Sequence, residues 1–183
     1  MTTERHQVGR LVREWVVLVV AAALIAWAFE SWVIQSFSIP SESMAPTLTD
    51  GDRVLVNKLS YRAHDVHRGD VVVVERPATA PKGSDEDPDD LIKRVIGLPG
   101  DTIEARGGTV YINGRPLTEP YLTEGTVTDR LDSPLVVPDG EVFLLGDNRG
   151  DSKDSRAFGP VPVDSLVGRA FALIWPPNRV AFL

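Results

Sequence analysis

Three short segments of the chain contain residues that could carry chemistry. The first, residues 38–48, places Ser41 and Ser43 next to prolines and apolar side chains. A serine hydroxyl becomes a nucleophile when a base lies beside it, but serine and proline are also ordinary turn residues. Taken alone, this segment fits a structural turn better than a reactive site.

The second segment, residues 91–101, contains a lysine among apolar residues. A strand here places Leu91, Lys93 and Val95 on one face. A lysine can act as a base at pH 7 only if burial lowers its pKa by roughly three units from about 10.4, which corresponds to about 4 kcal/mol. The apolar neighbours make such burial feasible, although a lysine stem that crosses an apolar surface while its ammonium group reaches water fits the same pattern.

The third segment, residues 145–156, is rich in Gly, Asp, Asn and Ser and carries several charges. These residue types are typical of a charged surface turn that follows a strand. In isolation, this segment therefore indicates a turn and no particular chemistry.

Together, and in this order after an N-terminal apolar stretch, the three segments resemble the sequence boxes of bacterial type I signal peptidases of the serine-lysine kind, peptidase family S26. Residues 68–73 and 119–122 extend the resemblance, which reaches to about Arg169. It implies a mainly β fold in which a transmembrane helix precedes a coiled antiparallel β-sheet domain. It also implies a serine endopeptidase that removes signal peptides from secretory preproteins by cleaving after a small-x-small motif.

The resemblance implies roles for individual residues as well. Ser43 is expected to be the nucleophile and Lys93 the general base. The backbone amide of Ser43 and the hydroxyl of Ser41 are expected to form an oxyanion hole. Glu42 stands where many family members carry glycine, and this departure removes no catalytic group. The implied mechanism uses neither a metal nor another cofactor.

Supporting and substrate-binding residues follow from the same resemblance. Ser152 is expected to hydrogen-bond and orient the lysine, while Asp154 and Arg156 brace the site. Substrate recognition in the family is strand addition with shallow apolar pockets, for which core packing is the alternative interpretation of the same side chains. The matching positions are Ile39, Pro40, Met44, Leu48, Asp90, Leu91 and Ile92.

An N-terminal apolar stretch precedes these segments. Residues 15–29 carry no charge, yet as a helix they rise only about 22 Å against a hydrocarbon core of about 30 Å. Extension to Phe37 gives a stretch long enough to span, with Glu30 as its one charge. We therefore predict a transmembrane anchor over residues 15–37.

Charge asymmetry predicts the topology. Three arginines lie in residues 1–14, and the next positive charge is Arg53. The positive-inside rule then predicts a cytoplasmic N-terminus, a single pass through the cell membrane, contact with membrane lipid, and an extracytoplasmic domain over residues 38–183. A cleavable signal peptide with its small-x-small site at residues 26–28 and a buried helix of a soluble domain are the alternatives.

After Pro40 the pattern changes to short apolar runs separated by Gly, Pro and Asp, which predicts an all-β domain. The acidic, proline-rich residues 77–90 have little to bury and are predicted to form a mobile external loop. Asn113 and Gly114, beside an apolar run, predict a tight hairpin turn. The main predicted strands are residues 53–56, 71–74, 91–96, 110–112, 141–145 and 167–175.

The composition narrows the range of functions. The 183 residues suffice for one anchor and one domain. The net charge of -7 and the lack of a Lys/Arg cluster argue against nucleic-acid binding. The chain has no cysteine, which excludes a thiol nucleophile and thiolate metal sites. His64 and His67 lie in a polar stretch that indicates a solvated loop, so we predict no metal site.

Two other functions stay open. A self-cleaving, repressor-type serine-lysine protease resembles this fold, but the apolar N-terminal stretch and the acidic charge disfavour it. A membrane-tethered β-domain that binds peptides and has lost catalysis is the non-enzymatic alternative, which the presence of both Ser43 and Lys93 disfavours.

Overall fold

The computed structural model describes residues 13–23, 33–80, 88–129, 131 and 133–183. The chain forms two compact units, Met1–Gln35 and Ser36–Leu183. In the first unit, residues 13–23 form helix α1. Over the part of the chain that is described, no helix is both long enough and apolar enough to cross a membrane.

The predicted anchor over residues 15–37 coincides with helix α1 only at its beginning. Residues 24–32 of the anchor lie outside the described residues. Ile34–Ser38 forms strand β1, so the predicted end of the helix at Phe37 is wrong. A short apolar run does not by itself distinguish helix from strand, and here β1 hydrogen-bonds to the neighbouring strand of a sheet.

The remaining elements are short strands and single helical turns. The strands are β2 (Arg53–Asn57), β3 (Val71–Glu75), β4 (Asp90–Gly97), β5 (Thr102–Arg106), β6 (Thr109–Ile112), β7 (Arg115–Pro116), β8 (Leu135–Val136), β9 (Glu141–Leu145), β10 (Val161–Pro162), β11 (Leu166–Trp175) and β12 (Ala181–Phe182). The helices are α2 (Ser60–Ala63) and α3 (Ser155–Phe158), and 3-10 turns cover Val163–Ser165 and Pro177–Arg179.

These strands form two sheets. The larger sheet has eight strands, in the order β1-β2-β11-β3-β4-β9-β10, with β12 paired to β11. The smaller sheet has the order β7-β6-β5-β8. Strand β4 pairs antiparallel with β3 and with β9, and β11 pairs antiparallel with β2 and with β3. The predicted mainly β, antiparallel fold is therefore confirmed.

The local predictions for this unit are also confirmed where the structure describes them. All six main predicted runs lie within strands, namely β2, β3, β4, β6, β9 and β11. Asn113 and Gly114 join β6 to β7 with φ of 53° and 76°, the left-handed pair that a type I′ hairpin turn requires. Residues 77–90 connect β3 to the start of β4, although residues 81–87 lie outside the described part, so mobility of this loop stays a prediction.

Strands β3 and β4 lie inside the larger sheet and are buried on both faces. Val73 and Ile92 pack into one apolar cluster, whereas Val72 and Val95 pack into a second cluster. A third cluster contains residues of both sheets. Each fully buried aliphatic side chain stabilises the fold by about 1.5–3 kcal/mol, so β4 is a firmly held support for the side chains that it carries.

Candidate active site

A serine and a lysine that are distant in the chain come together in the second unit. Lys93 Nζ lies 2.8 Å from Ser43 Oγ and also donates a hydrogen bond to the carbonyl oxygen of Ile92 at 2.8 Å. Ser43 lies in the turn between β1 and β2, and Lys93 lies in β4. The strand thus holds an amine within direct proton-transfer distance of a hydroxyl.

The surroundings of Lys93 favour the neutral amine. Its side chain is buried, and its strand neighbours Leu91 and Val95 pack in one apolar cluster, as the predicted strand alternation requires. Burial lowers the pKa of Lys93 from 10.5 to about 8; the carboxylate of Asp154 opposes this shift and the charge of Arg76 adds to it. A substantial part of the lysine is therefore deprotonated at mildly alkaline pH.

The turn that carries Ser43 places a second hydroxyl beside it. Ser41 Oγ lies 3.2 Å from Ser43 Oγ. The carboxylate of Glu42, between the two serines, accepts a hydrogen bond from the backbone amide of Asp50 at 3.1 Å. The exposed Ser41 hydroxyl is thus close enough to donate to an oxygen that is bound beside Ser43.

The turn after β9 packs directly against the backbone of Ser43. A Cβ atom on Gly146 would lie 2.4 Å from the carbonyl oxygen of Ser43 and 2.2 Å from Ser152 Oγ. The Ser43 carbonyl oxygen also accepts a hydrogen bond from the backbone amide of Asn148 at 3.2 Å. Glycine at position 146 is what allows the two turns to approach this closely.

Gly146→Ala should therefore destabilise the protein by about 3 kcal/mol, because the new methyl group would collide with a main-chain oxygen that cannot move independently. Thermal unfolding of the full chain, followed by circular dichroism, measures the loss. Gly150→Ala is the matched control, since nothing lies within 4 Å of a Cβ atom at that position. Equal melting temperatures for the two variants would contradict this account of Gly146.

Ser152 lies beside the site without making the predicted hydrogen bond. Its Oγ is buried and has no hydrogen-bond partner among the described residues. The prediction that Ser152 hydrogen-bonds Lys93 is wrong for this structure, because the amine is directed to Ser43 Oγ and the carbonyl oxygen of Ile92 instead. A buried hydroxyl without a partner is uncommon in folded proteins.

The pair that was predicted to brace the site is formed. Asp154 is fully buried, and its carboxylate accepts two hydrogen bonds from the Arg156 side chain, each 2.9 Å long. The same carboxylate accepts the backbone amide of Gly146 at 3.0 Å. Asp154 thus connects helix α3 to the turn that packs against Ser43.

A second buried ion pair was not predicted. Asp147 accepts two hydrogen bonds from Arg94, 2.9 Å from Nε and 2.6 Å from Nη2, and a third from Thr47 Oγ1 at 2.5 Å. Arg94 also donates to the carbonyl oxygen of Gly69 at 2.8 Å and lies 3.9 Å from the ring centroid of Tyr121. This pair ties β4 to both turns of the site.

A third buried ion pair, Arg149–Glu119, follows the Arg94–Asp147 pair in the same turn. The side chain of Arg149 is fully buried and pairs with Glu119, while its Nη1 donates to Thr128 Oγ1 at 2.7 Å and its Nε to the carbonyl oxygen of Gly146 at 3.0 Å. Within residues 145–156, sequence reasoning singled out only three supporting positions and missed Asp147 and Arg149. The available signal was the position of these charges directly after a buried strand, where a charge must be paired.

A groove next to Ser43 and Lys93 is lined by most of the predicted substrate-binding residues. It has a volume of about 340 Å³ and is lined by residues 37–41, Val73, and residues 88–93. These ranges include the predicted residues Ile39, Pro40, Asp90, Leu91 and Ile92. Burial raises the pKa of the Asp90 carboxyl, and the neighbouring charges of Glu75 and Asp89 raise it further.

Two predicted substrate-binding residues do not reach this groove. Met44 and Leu48 have 0% of their surface exposed and pack in the same cluster as Ile39 and Ile92. The prediction of direct substrate contact is contradicted for both, because they have no free surface. Their role in this structure is to support the groove residues from behind.

Comparisons with known proteins give a consistent result. The family model described as signal peptidase, peptidase S26, matches residues 12–175. A probable signal peptidase I-2 from Synechocystis sp. is 42% identical over 164 residues, which cover 90% of this chain and 73% of that protein. Signal peptidase I of Leptolyngbya laminosa is 40% identical, covering 88% and 79%. Signal peptidase IB of Staphylococcus aureus is 38% identical, covering 89% of each.

A solved structure is similar as well. The crystal structure of a signal peptidase I from Enterococcus faecalis is 31% identical, with a TM-score of 0.44, and the match covers 58% of this chain and 97% of that chain. The family model spans most of the sequence, and several relatives exceed 30% identity over most of their length. The chain therefore belongs to the signal peptidase family, peptidase S26, and is a serine peptidase.

Proposed function

We propose that this protein is a membrane-bound endopeptidase that removes signal peptides from exported preproteins, with Ser43 as the nucleophile and Lys93 as the general base. The observation that carries the proposal is the 2.8 Å contact between Lys93 Nζ and Ser43 Oγ in a buried setting. The lowered pKa of Lys93, about 8, supports a base role near neutral pH. The relatives named signal peptidase I support the substrate class.

The reaction follows from the chemistry of these groups. Neutral Lys93 takes the hydroxyl proton as Ser43 Oγ attacks the carbonyl carbon of the scissile bond. The backbone amide of Ser43 and the Ser41 hydroxyl donate to the oxyanion of the tetrahedral intermediate. Protonated Lys93 then gives its proton to the leaving amine, and an acyl-enzyme remains. Water, deprotonated by Lys93, attacks this ester, and Lys93 returns the proton to Ser43 Oγ as the signal peptide leaves with a new carboxyl group.

Substrate recognition rests on the groove beside the dyad. An extended peptide is proposed to lie between the backbone of residues 38–41 and that of residues 90–92, adding a strand. The shallow walls formed by Ile39 and Ile92 accept small side chains. This arrangement favours a small-x-small motif before the scissile bond.

Membrane attachment is the second part of the proposal. The apolar stretch that begins at residue 15 and ends before strand β1 is proposed to anchor the chain, with the N-terminus in the cytoplasm and the catalytic unit outside. Exposed apolar residues near the C-terminus fit contact with lipid, because tryptophan and phenylalanine partition to the membrane interface. These residues are Ile174, Trp175, Val180 and Phe182.

The test is cleavage of a purified preprotein by the full chain in detergent, with the new N-terminus sequenced. Wild type should cut after a small-x-small motif, and Ser43→Ala should show no cleavage while keeping its melting temperature. Ser133→Ala is the control, since Ser133 is an exposed serine. Full activity of Ser43→Ala would refute the assignment, and a folded wild type that cuts no preprotein would refute the proposed function.

The pH dependence of kcat/KM should report Lys93. With a pKa of about 8, only about a tenth of the lysine is neutral at pH 7, and the neutral form is the active one. We therefore expect kcat/KM to rise about tenfold for each pH unit below 8 and to level off above that value. A profile that is flat from pH 6 to 9 would exclude a lysine base of this pKa.

A further inference from the structure

Asn148 contacts the nucleophile's backbone from two directions. Its side-chain Nδ2 donates a hydrogen bond to the carbonyl oxygen of Glu42 at 3.1 Å. Its backbone amide donates to the carbonyl oxygen of Ser43 at 3.2 Å. The turn after β9 therefore holds the peptide units on both sides of the Ser43 Cα atom.

The Glu42 carbonyl oxygen is not an arbitrary acceptor. It belongs to the same planar peptide unit as the N–H of Ser43, so a hydrogen bond that fixes the direction of the C=O also fixes the direction of the N–H. A bond to the oxygen also polarises the unit and strengthens its N–H as a donor. The N–H of Ser43 is the backbone donor of the proposed oxyanion hole.

We propose that Asn148 is a positioning residue for this oxyanion hole, acting through the Glu42–Ser43 peptide. The inference rests on the proposed function. It assigns to Asn148 a role that is separate from the roles of Ser43 and Lys93. Asn148 touches neither the scissile bond nor the base; it orients and polarises the peptide whose N–H receives the negative charge.

The surroundings of Asn148 make it a firm support. Its neighbours in the chain are the two buried ion-pair residues, Asp147, which pairs with Arg94, and Arg149, which pairs with Glu119. The Glu42 carbonyl oxygen accepts a second hydrogen bond, from the backbone amide of Ala45 at 3.0 Å. With Asn148 removed, that local turn bond alone would hold the peptide.

This arrangement has a kinetic signature. The oxyanion forms only in the transition state, so weakening its donor lowers kcat and leaves substrate binding unchanged. Removal of a direct oxyanion-hole donor reduces kcat by about 100- to 1000-fold. Because Asn148 acts through the peptide, we expect Asn148→Asp to reduce kcat about 10- to 100-fold with KM within about twofold of wild type.

Asn148→Asp is the sharpest variant, since it keeps the shape of the side chain and the backbone bond to Ser43 but replaces the N–H donor with an oxygen. Asn148→Ala removes the donor without adding charge and serves if the aspartate variant fails to fold. Asn57→Asp is the matched control, because the side-chain oxygen of Asn57 accepts the Leu59 amide and aspartate can do the same. The assay is preprotein cleavage by the full chain in detergent.

A second measurement separates this role from general loosening of the site. A peptide aldehyde bonds through its carbonyl carbon to Ser43 Oγ, the hydroxyl proton passes to Lys93, and the former carbonyl oxygen carries the negative charge. Its affinity should fall in parallel with kcat in both Asn148 variants. The affinity for a peptide whose scissile amide is reduced to a methylene amine, which forms no oxyanion, should stay unchanged.

The outcomes are distinct. A kcat within twofold of wild type in folded variants, or equal losses of affinity for the aldehyde and for the reduced peptide, would overturn the role of Asn148. If wild type itself cleaves no preprotein, the proposed function fails. If wild type cleaves and the variants match it, only the inference about Asn148 fails.

Discussion

Lys93→Met should abolish preprotein cleavage and at the same time stabilise the protein by up to about 3 kcal/mol at pH 7. Loss of the proposed base should lower the rate by about a thousandfold or more, because Ser43 would have no group to take its proton. The gain in stability has a separate cause. The pKa of Lys93 falls from 10.5 to about 8 on folding, so the buried ammonium group opposes folding, and each unit corresponds to about 1.4 kcal/mol.

The pH dependence of this gain has a definite sign. The unfolded chain binds the proton of Lys93 more tightly than the folded protein does, so wild-type stability rises with pH between about 8 and 10.5. The advantage of Lys93→Met is therefore full below about pH 8, shrinks as the pH rises, and vanishes above about 10.5. Urea unfolding at pH 7 and at pH 10 measures both values.

Lys153→Met is the control for this prediction, since Lys153 is exposed and its replacement should change neither stability nor its pH dependence by more than about 0.5 kcal/mol. A Lys93→Met protein that is less stable than wild type at pH 7 would show that the hydrogen bonds to Ser43 and Ile92 outweigh the burial of the charge.

Asp147→Ala should destabilise the protein by about 3–5 kcal/mol, which is the typical effect of leaving one member of a buried ion pair without its partner. The variant would leave the Arg94 guanidinium without its carboxylate partner; this guanidinium is buried and donates two hydrogen bonds to Asp147 in the wild type. Its bond to the Gly69 carbonyl oxygen and its contact with the Tyr121 ring would remain, and they do not neutralise its charge. Urea unfolding of the full chain measures the loss.

The double variant Arg94→Met, Asp147→Leu tests the cause of this loss. If the unpaired charge of Arg94 is responsible, removal of both Arg94 and Asp147 should restore most of the stability, since apolar pairs of similar size are often as stable as buried ion pairs. Asp139→Ala, at an exposed aspartate, is the control and should lie within about 0.5 kcal/mol of wild type. A double variant as unstable as Asp147→Ala would point to lost packing instead.

Local features of this fold could be predicted from the sequence because short-range chemistry determines them. The Asn113-Gly114 turn follows from the left-handed backbone that both residues tolerate. The apolar neighbours of Lys93 follow from strand alternation, although the same pattern also fits a lysine whose ammonium group reaches water. The order of strands could not be predicted, since alternation indicates which face is buried but not which strand lies beside it.

Long-range polar contacts could not be predicted from the sequence either. The carboxylate partners of Arg94 and Arg149 lie 53 and 30 residues away, so no local pattern connects the charges. A glycine- and aspartate-rich segment resembles an exposed turn, but residues 146–149 are of these types and pack against the backbone of Ser43 instead. The predicted helix end at Phe37 was wrong for a related reason: hydrogen bonds within the sheet outweighed the local apolar character of residues 34–37.

The uneven pairing of β4 has a consequence for hydrogen exchange. Strand β4 pairs with β3 over residues 90–94 and with β9 only from Arg94 onward, so the β9 side of residues 90–93 has no strand partner. A peptide that adds a strand there would protect backbone amides that otherwise exchange through small local openings, whereas the amides bonded to β9 are already protected. Deuterium uptake by residues 41–48 and 90–92 should therefore fall when a peptide occupies the groove, while uptake by residues 94–97 should not change.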